Sequence, residues 1–186
     1  MELMKAIYGR RAVRHFTGRD VTRQVIADLA EAASQAPSAM NSQSWAFGVF
    51  KGKELLRDYS ERAKLYFLES FSPGSDPDVR MRETLAKADY NIFHDAGTLL
   101  VIYAKPNRDR FGVGECYLAA QNLMLAAHDM GLGTCPIGFA QPWLDLDEVK
   151  AELGIPVKYS AVFPLVLGYP EGVAEDPHRL RPEFLN

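Results

Sequence analysis

A chain of 186 residues can bury one substantial hydrophobic core, and its length calls for no second one. With 47% hydrophobic and 24% charged residues, its composition is that of an ordinary globular domain. The 21 Lys and Arg against 24 Asp and Glu leave a formal net charge of -3, which excludes the basic excess of a nucleic-acid or anionic-membrane binder.

Taken in chain order, residues 2–8 predict a short helix that Gly9 ends. The start, MELMKAIYGRR, has no apolar signal core, and no apolar run reaches membrane-spanning length, so the expected compartment is the cytoplasm. The stretch GRRAVRHF, residues 9–16, then crowds Arg10, Arg11 and Arg14 together. Thr22 suits an N-cap, and Val25, Ile26, Leu29, Ala30 and Ala33 recur at helical spacing, which predicts a helix over 23–35 that Pro37 stops. WAFGVF (45–50) predicts a strand. Helices are expected over 53–70 and 79–92, with SPGSDPD (72–78) as the loop between them. TLLVIYA (98–104) suits a strand buried on both faces.

The helix expected over 114–130, GECYLAAQNLMLAAHDM, carries apolar or small residues on almost every side and ends at Gly131. Burying it all takes more cover than one small chain supplies, which predicts a homodimer interface. TCPIGF (134–139) and AVFPLVL (161–167) suit further strands. Between them Asp145 or Asp147 can cap a helix ending at Gly154, before Pro156. The tail from 169, with Pro170, Pro177 and Pro182, is expected to be an extended arm. The whole predicts a single α+β domain over residues 1–186, with few strands and helices around them.

Four stretches could carry chemistry. Guanidinium forks match phosphate oxygens in pairs, and a phosphate monoester bears about -1.5 to -2 charges, so two or three of Arg10, Arg11 and Arg14 would neutralise one. A solvated basic patch accounts for the same residues. APSAMNSQSWAF (36–47) packs polar groups into a short loop that could fix a heterocycle, or merely cap and turn. GLGTCPIGF (131–139) lets backbone approach a flat ligand, or is a helix end followed by a strand; it matches neither the dinucleotide fingerprint nor the phosphate loop. HRLRPEF (178–184) forms a second cationic group, which would enclose a phosphate if it met the first.

Other chemistry finds little support. Cys116 and Cys135 are too few for a disulfide framework and lack metal-ligand spacing; Cys135 has no basic partner nearby in sequence and suits a buried small residue. His15, His94, His128 and His178 have no metal-binding spacing. His94 and Asp95, adjacent on a helix, would diverge by about 100 degrees and not pair directly.

Together, in order and along essentially the whole chain, RRAVRHF, APSAMNSQSWAF, AAQNLMLAAHDMGLGTCPIGF and LGYP followed by HRLRP resemble the nitroreductase family of flavin mononucleotide (FMN) enzymes. The resemblance implies a central, mostly antiparallel sheet wrapped by helices in an intertwined homodimer, with two active sites at the interface and the C-terminal arm reaching across the partner. It implies that Arg10, Arg11 and Arg14, with the backbone of Ala12, hold the phosphate and ribityl chain, and that Arg179 and Arg181 close on the phosphate. Pro37, Ser38 and Ala39 would line the isoalloxazine from the other subunit, supported by Asn41 and Gln43. Pro136, Ile137 and Gly138 would pass over the ring, a backbone N–H there facing N5. Many relatives have serine where Ala12 stands, and the family often reads QPW at Gln43-Ser44-Trp45.

The function so implied is ping-pong transfer of hydride from NADH or NADPH to FMN, and on to a nitroaromatic, a quinone or a similar flat acceptor. The flavin carries the chemistry, and no side chain is assigned a catalytic role. Tyr66, Phe67, Phe71 and Phe93, within the helices of 53–95 that set the substrate, could shape its pocket or be ordinary core. The rivals are a flavin carrier or sensor without turnover, a dehalogenase or flavin-fragmenting enzyme on the same fold, and a thiol redox protein using both cysteines.

Overall fold

The computed structural model of the chain describes residues 2–70, 79–106, 111–174, 176 and 178–185, without the side chains of 79–81. Its elements in order are α1 (Leu3–Gly9), α2 (Arg23–Ser34), β1 (Trp45–Lys51), α3 (Lys53–Ser70), α4 (Val79–Leu85), β2 (Thr98–Ala104), α5 (Gly112–Asp129), β3 (Gly133–Pro136), α6 (Gln141–Leu144), α7 (Asp147–Glu152) and β4 (Ser160–Gly168). The strands form one antiparallel sheet in the order β1-β2-β4-β3. The α+β class and the mostly antiparallel sheet expected from sequence are therefore present.

All seven residues of β2 are buried, as the uninterrupted apolar run requires. Strand alternation sends Leu99, Val101 and Tyr103 to one face and Leu100, Ile102 and Ala104 to the other. The first face packs against α3, α6 and α7 through Leu56, Tyr59, Trp143 and Val149. The second packs against α2 and α5 through Leu29, Ala33, Ala119 and Leu123. The Thr22 hydroxyl caps α2 by accepting the Val25 N–H at 3.3 Å. At the end of α5, Gly131 adopts φ 75 while Leu132 N–H donates to Ala127 C=O at 2.8 Å, which stops the helix and turns the chain into β3.

Three expectations need correction. The helix predicted over 79–92 ends at Leu85, and residues 86–97 are turns. The buried Lys64 ammonium takes the carbonyls of Lys87 and Tyr90, and His94 and Asp95 are both left-handed, so a tertiary cation replaces the helical ladder. Neither Asp145 nor Asp147 caps α7, which ends at Glu152 with Gly154 at φ 69 beyond it. Asp145 instead accepts the Ala161 N–H at 2.7 Å, tying the α6–α7 turn to β4. The strand predicted over 134–139 stops at Pro136, after which Gly138–Ala140 makes a tight turn.

The outward side of α5 keeps apolar groups at the surface: Tyr117 is 52% exposed and Leu118 48%. Leu3, Met4, Ile7 and Tyr8 of α1 are exposed as well. One face of α5 thus closes the core, while the apolar excess noted in the sequence stays uncovered by the single chain.

Residues 12–17 are pinned between β3 and the segment after β4. Ala12 bridges Thr134, Val13 N–H donates to Thr134 C=O at 2.9 Å, Thr17 N–H to Tyr169 C=O at 2.9 Å, and Glu171 N–H returns to His15 C=O at 2.9 Å. This close approach depends on Gly133, where a Cβ would lie 2.7 Å from the Val13 side chain. Gly133→Ala is expected to destabilise the protein by about 1–3 kcal/mol, read as a lower melting temperature, with the strip bearing the arginines displaced from β3.

Candidate functional site

The three arginines around the pinned strip differ in their surroundings. Arg10 follows α1 directly, its N–H donating to Ala6 C=O at 3.0 Å, and its side chain is half-buried. Among the described residues its guanidinium has no carboxylate partner. Burial lowers its pKa from the ordinary value, and the cations of Arg179 and Arg11 lower it further. The charge of the C-terminal Arg179 is thus felt at Arg10. Arg11 differs: its guanidinium donates to Tyr8 C=O, Arg10 C=O and the Asp176 carboxylate, so the arm already occupies it. Arg14 is exposed, with no ion pair among the described residues. Arg181 lies exposed on the arm. Ala12 offers only backbone, beside a cavity of about 410 Å³ bounded by Arg14, His15, Glu171 and Gly172.

The second component is the loop after α2. Pro37 is exposed, and Ser38 and Ala39 are half-buried. Met40, Asn41 and Gln43 all have left-handed backbones, at φ 51, 57 and 46. Such conformations cost non-glycine residues of order 1–3 kcal/mol each unless the surroundings hold them. The Gln43 N–H donates to Ser38 Oγ and the Gln43 amide to Asn41 Oδ1, both at 3.1 Å. Outside the loop, the Glu115 carboxylate accepts the Ala39 N–H at 2.7 Å and the Ser42 hydroxyl at 3.0 Å. Burial alone would raise its pKa, but these donors and those of Ser44 hold it below the ordinary carboxylate value. Sequence reading missed Glu115; its signal was a lone carboxylate in helical register with Cys116, Ala119, Ala120 and Leu123, all turned inward.

The third component is the strip after β3. Pro136 and Gly138 are exposed and Ile137 is buried. The Ile137 N–H is spent on Pro164 C=O at 2.9 Å, whereas no acceptor among the described residues takes the Gly138 amide. A Cβ at Gly138 would meet nothing within 4 Å. It borders a cavity of about 540 Å³ with Pro136, Tyr117, Gln141 and Phe163. The 37–39 loop lines a different cavity of about 420 Å³, with Phe111, Gly114 and Leu118. None of these cavities is lined by both the loop and the strip. Within one chain, then, the arginines meet the arm, and the loop stands elsewhere.

The aromatic residues considered for a substrate pocket fall mostly in the core. Phe93 is fully buried, and Phe67 is buried with its ring edge-on to Phe139 at 5.1 Å. Neither can line an open pocket in this arrangement, because α3 and the 86–97 turns pack them inward. Tyr66 is half-buried against the same core, and Phe71 lies outside the described residues. Cys116 and Cys135 are buried and free. Burial pushes Cys116 up to about 12, and raises Cys135 despite nearby Arg14 and Arg10. Asp95 beside His94 is taken by Arg57 at 3.0 Å and by Asn91 at 3.1 Å, and both residues are left-handed and not helical. Among the described residues no His, Cys, Asp or Glu cluster could hold a metal, and no helix is long and apolar enough to cross a membrane.

The domain thus carries a four-stranded antiparallel sheet with helices on both faces, a cationic strip of which Arg11 is paired with Asp176, a strained polar loop and an open glycine turn. The chain belongs to the Nitroreductase family, whose model matches residues 7–169. It is 28% identical over 204 residues to an NADH dehydrogenase of Thermus thermophilus, covering 97% of this chain and 92% of that protein. It is 26% identical over 179 residues to an iodotyrosine deiodinase of Thermotoga neapolitana, covering 90% of each. The crystal structure of a Bacteroides fragilis nitroreductase with bound FMN superposes with a TM-score of 0.77 at 25% identity, covering 100% of this chain and 95% of that one.

Two measurements check the electrostatics. Iodoacetamide at neutral pH should leave both cysteines of the native protein unmodified by mass spectrometry, because a buried, raised thiol presents no thiolate; rapid labelling would restore the thiol reading. His94 is lowered to about 4, first by burial and then by Arg14 and His15. A histidine lowered on folding contributes stability above its unfolded value of 6.5, and that contribution drains away as the pH falls from 6.5 towards 4. Urea unfolding of His94→Asn, which retains a residue tolerant of the left-handed backbone, should therefore lose less stability between pH 7 and pH 5 than the parent.

Proposed function

We propose that the protein is an FMN-dependent oxidoreductase that takes hydride from NADH or NADPH and reduces a nitroaromatic, quinone or similar flat acceptor. The observation that carries this reading is Arg10, a half-buried guanidinium beside Arg11 and Arg179 with no carboxylate partner among the described residues. Its charge repulsion is relieved when a phosphate enters. Family membership, a relative named NADH dehydrogenase and a structural neighbour with bound FMN support the same reading.

Two features support the cofactor reading: cationic side chains at both ends of the chain, and cavities beside the strip and the glycine turn. Arg10, Arg14, Arg179 and Arg181 would hold the phosphate, and Arg11, clasped by Asp176, would keep the arm in reach. The backbone of Pro136, Ile137 and Gly138 would follow the ring, with the Gly138 amide as hydrogen-bond donor. The ring's other boundary would come from Pro37, Ser38 and Ala39 of a second copy, backed by Asn41 and Gln43, because in one chain that loop borders a separate cavity. Bound FMN supplies a carrier that accepts hydride and delivers electrons onward.

The active form we propose is a homodimer of single domains spanning 1–186. Tyr117, Leu118 and the exposed apolar residues of α1 form its contact, and the arm extends over the partner, where Leu180 and Phe184, both 87% exposed, would find cover. A cytoplasmic location is in keeping with two free, buried thiols. No side-chain acid or base is needed at the centre.

The test is the double variant Arg10→Ala with Arg14→Ala. Charge-assisted contacts are worth roughly 10- to 100-fold each in affinity, so this variant should lose FMN during purification. It should still sediment as a dimer and show no NAD(P)H–menadione turnover. A parent protein that stays colourless with FMN would overturn the reading. One that binds FMN yet never oxidises NAD(P)H in the presence of menadione or a nitroaromatic would be a flavin carrier.

A further inference from the structure

Among the described residues, Glu115 is a buried charge without a countercharge. It is 3% exposed, and among the described residues no Lys or Arg lies within ion-pair distance of it. A buried carboxylate is costly unless its oxygens are saturated with hydrogen bonds. Among the described residues, its donors come from one short stretch of chain. Oε1 accepts the Ala39 N–H (2.7 Å) and the Ser42 hydroxyl (3.1 Å); Oε2 accepts the same hydroxyl (3.0 Å) and the Ser44 N–H (3.4 Å). Those donors bracket Met40, Asn41 and Gln43, the three left-handed residues of the loop. The loop is also tied to Lys105, whose N–H donates to Ser44 C=O at 2.7 Å and whose ammonium reaches Gln43 C=O at 3.4 Å. Both lie at the loop's far end. Among the described residues, the part of the loop around Met40 and Asn41 is fastened to the body of the domain by the carboxylate, through Ala39 and Ser42. Helix α5 supplies a rigid mount, since its inward side is locked against the sheet through Cys116, Ala119 and Leu123.

We propose that Glu115 is a positioning residue: its carboxylate preforms the loop carrying Pro37, Ser38 and Ala39, so that the loop meets the flavin already in its binding conformation. The inference rests on the FMN reading above. A preformed loop loses little conformational entropy when the ligand arrives, and this appears as affinity. The charge matters because it can accept three donors converging from two sides. A neutral amide in its place presents one acceptor and one donor, so either the Ala39 side or the Ser44 side of the loop meets an N–H in place of an oxygen.

Glu115→Gln keeps the volume and removes this double acceptance. It is expected to weaken FMN binding by roughly 10- to 100-fold, measured by flavin fluorescence quenching, and to alter the visible circular dichroism of the flavin at saturating FMN. Ser42→Ala, at an exposed position, deletes two of the contacts without threatening the fold and should show the same changes to a smaller extent. Arg62→Ala is the control for general destabilisation. It removes the ion pair from α3 to Glu152 of α7, far from the loop, and should lower the melting temperature while leaving FMN affinity and the flavin spectrum as in the parent. Parental affinity and an unchanged spectrum in Ser42→Ala, or in a folded Glu115→Gln, would overturn the inference while leaving the FMN reading intact. A parent protein unable to bind FMN would remove both.

Discussion

The architecture depends on the burial of β2. A strand with no exposed residue must be covered on both faces and paired on both edges, and every other element follows from meeting these four demands. β1 and β4 satisfy its edges. Alternate side chains then recruit α2 and α5 on one side and α3, α6 and α7 on the other. The local polar fastenings serve the same end. Lys64 draws the 86–97 turns onto α3, and Asp145 draws the α6–α7 turn onto β4, so that irregular backbone can cover the sheet without leaving buried polar groups unpaired.

The site components are placed at the margins of this core. The arginine strip is an extra run of backbone laid against β3, possible only because Gly133 has no side chain. The glycine turn is the continuation of the same strand past its last pairing. The loop, in contrast, is carried by α2 and α5 on the opposite layer. Strip and loop therefore inherit fixed positions from a rigid sheet and a rigid helix, which suits residues that must hold a flat ligand in register.

What the sequence disclosed and what it hid follow one physical division. Periodic and local signals were legible: Thr22 with the α2 spacing, the unbroken run of β2, the all-round apolar α5 and Gly131 at its end. Features decided by a distant partner were not. The predicted helix over 79–92 gave way to turns because Lys64, some twenty residues upstream, competes for its carbonyls. Asp145 looked like a cap and is a cross-link to β4. For Phe93 the sequence left pocket and core equally open, and burial places it in the core. At the site, the order of the short motifs carried the family resemblance, and the charge of Arg179 is felt at Arg10. Arg11, however, is held by Asp176, and Glu115 was invisible as a functional residue, because neither pairing leaves a mark within a few positions of the residue itself.

The separation of loop and strip onto opposite layers has a thermodynamic consequence. Under the proposed two-chain site, no protomer owns a complete binding surface, so cofactor occupancy and self-association are linked equilibria. Each bound flavin draws two chains together, and each dissociation event releases the ligand from both margins at once. Holding a flavin then acts as a check on assembly: a chain without its counterpart lacks half the contacts needed to retain the cofactor, and redox chemistry stays confined to the paired form.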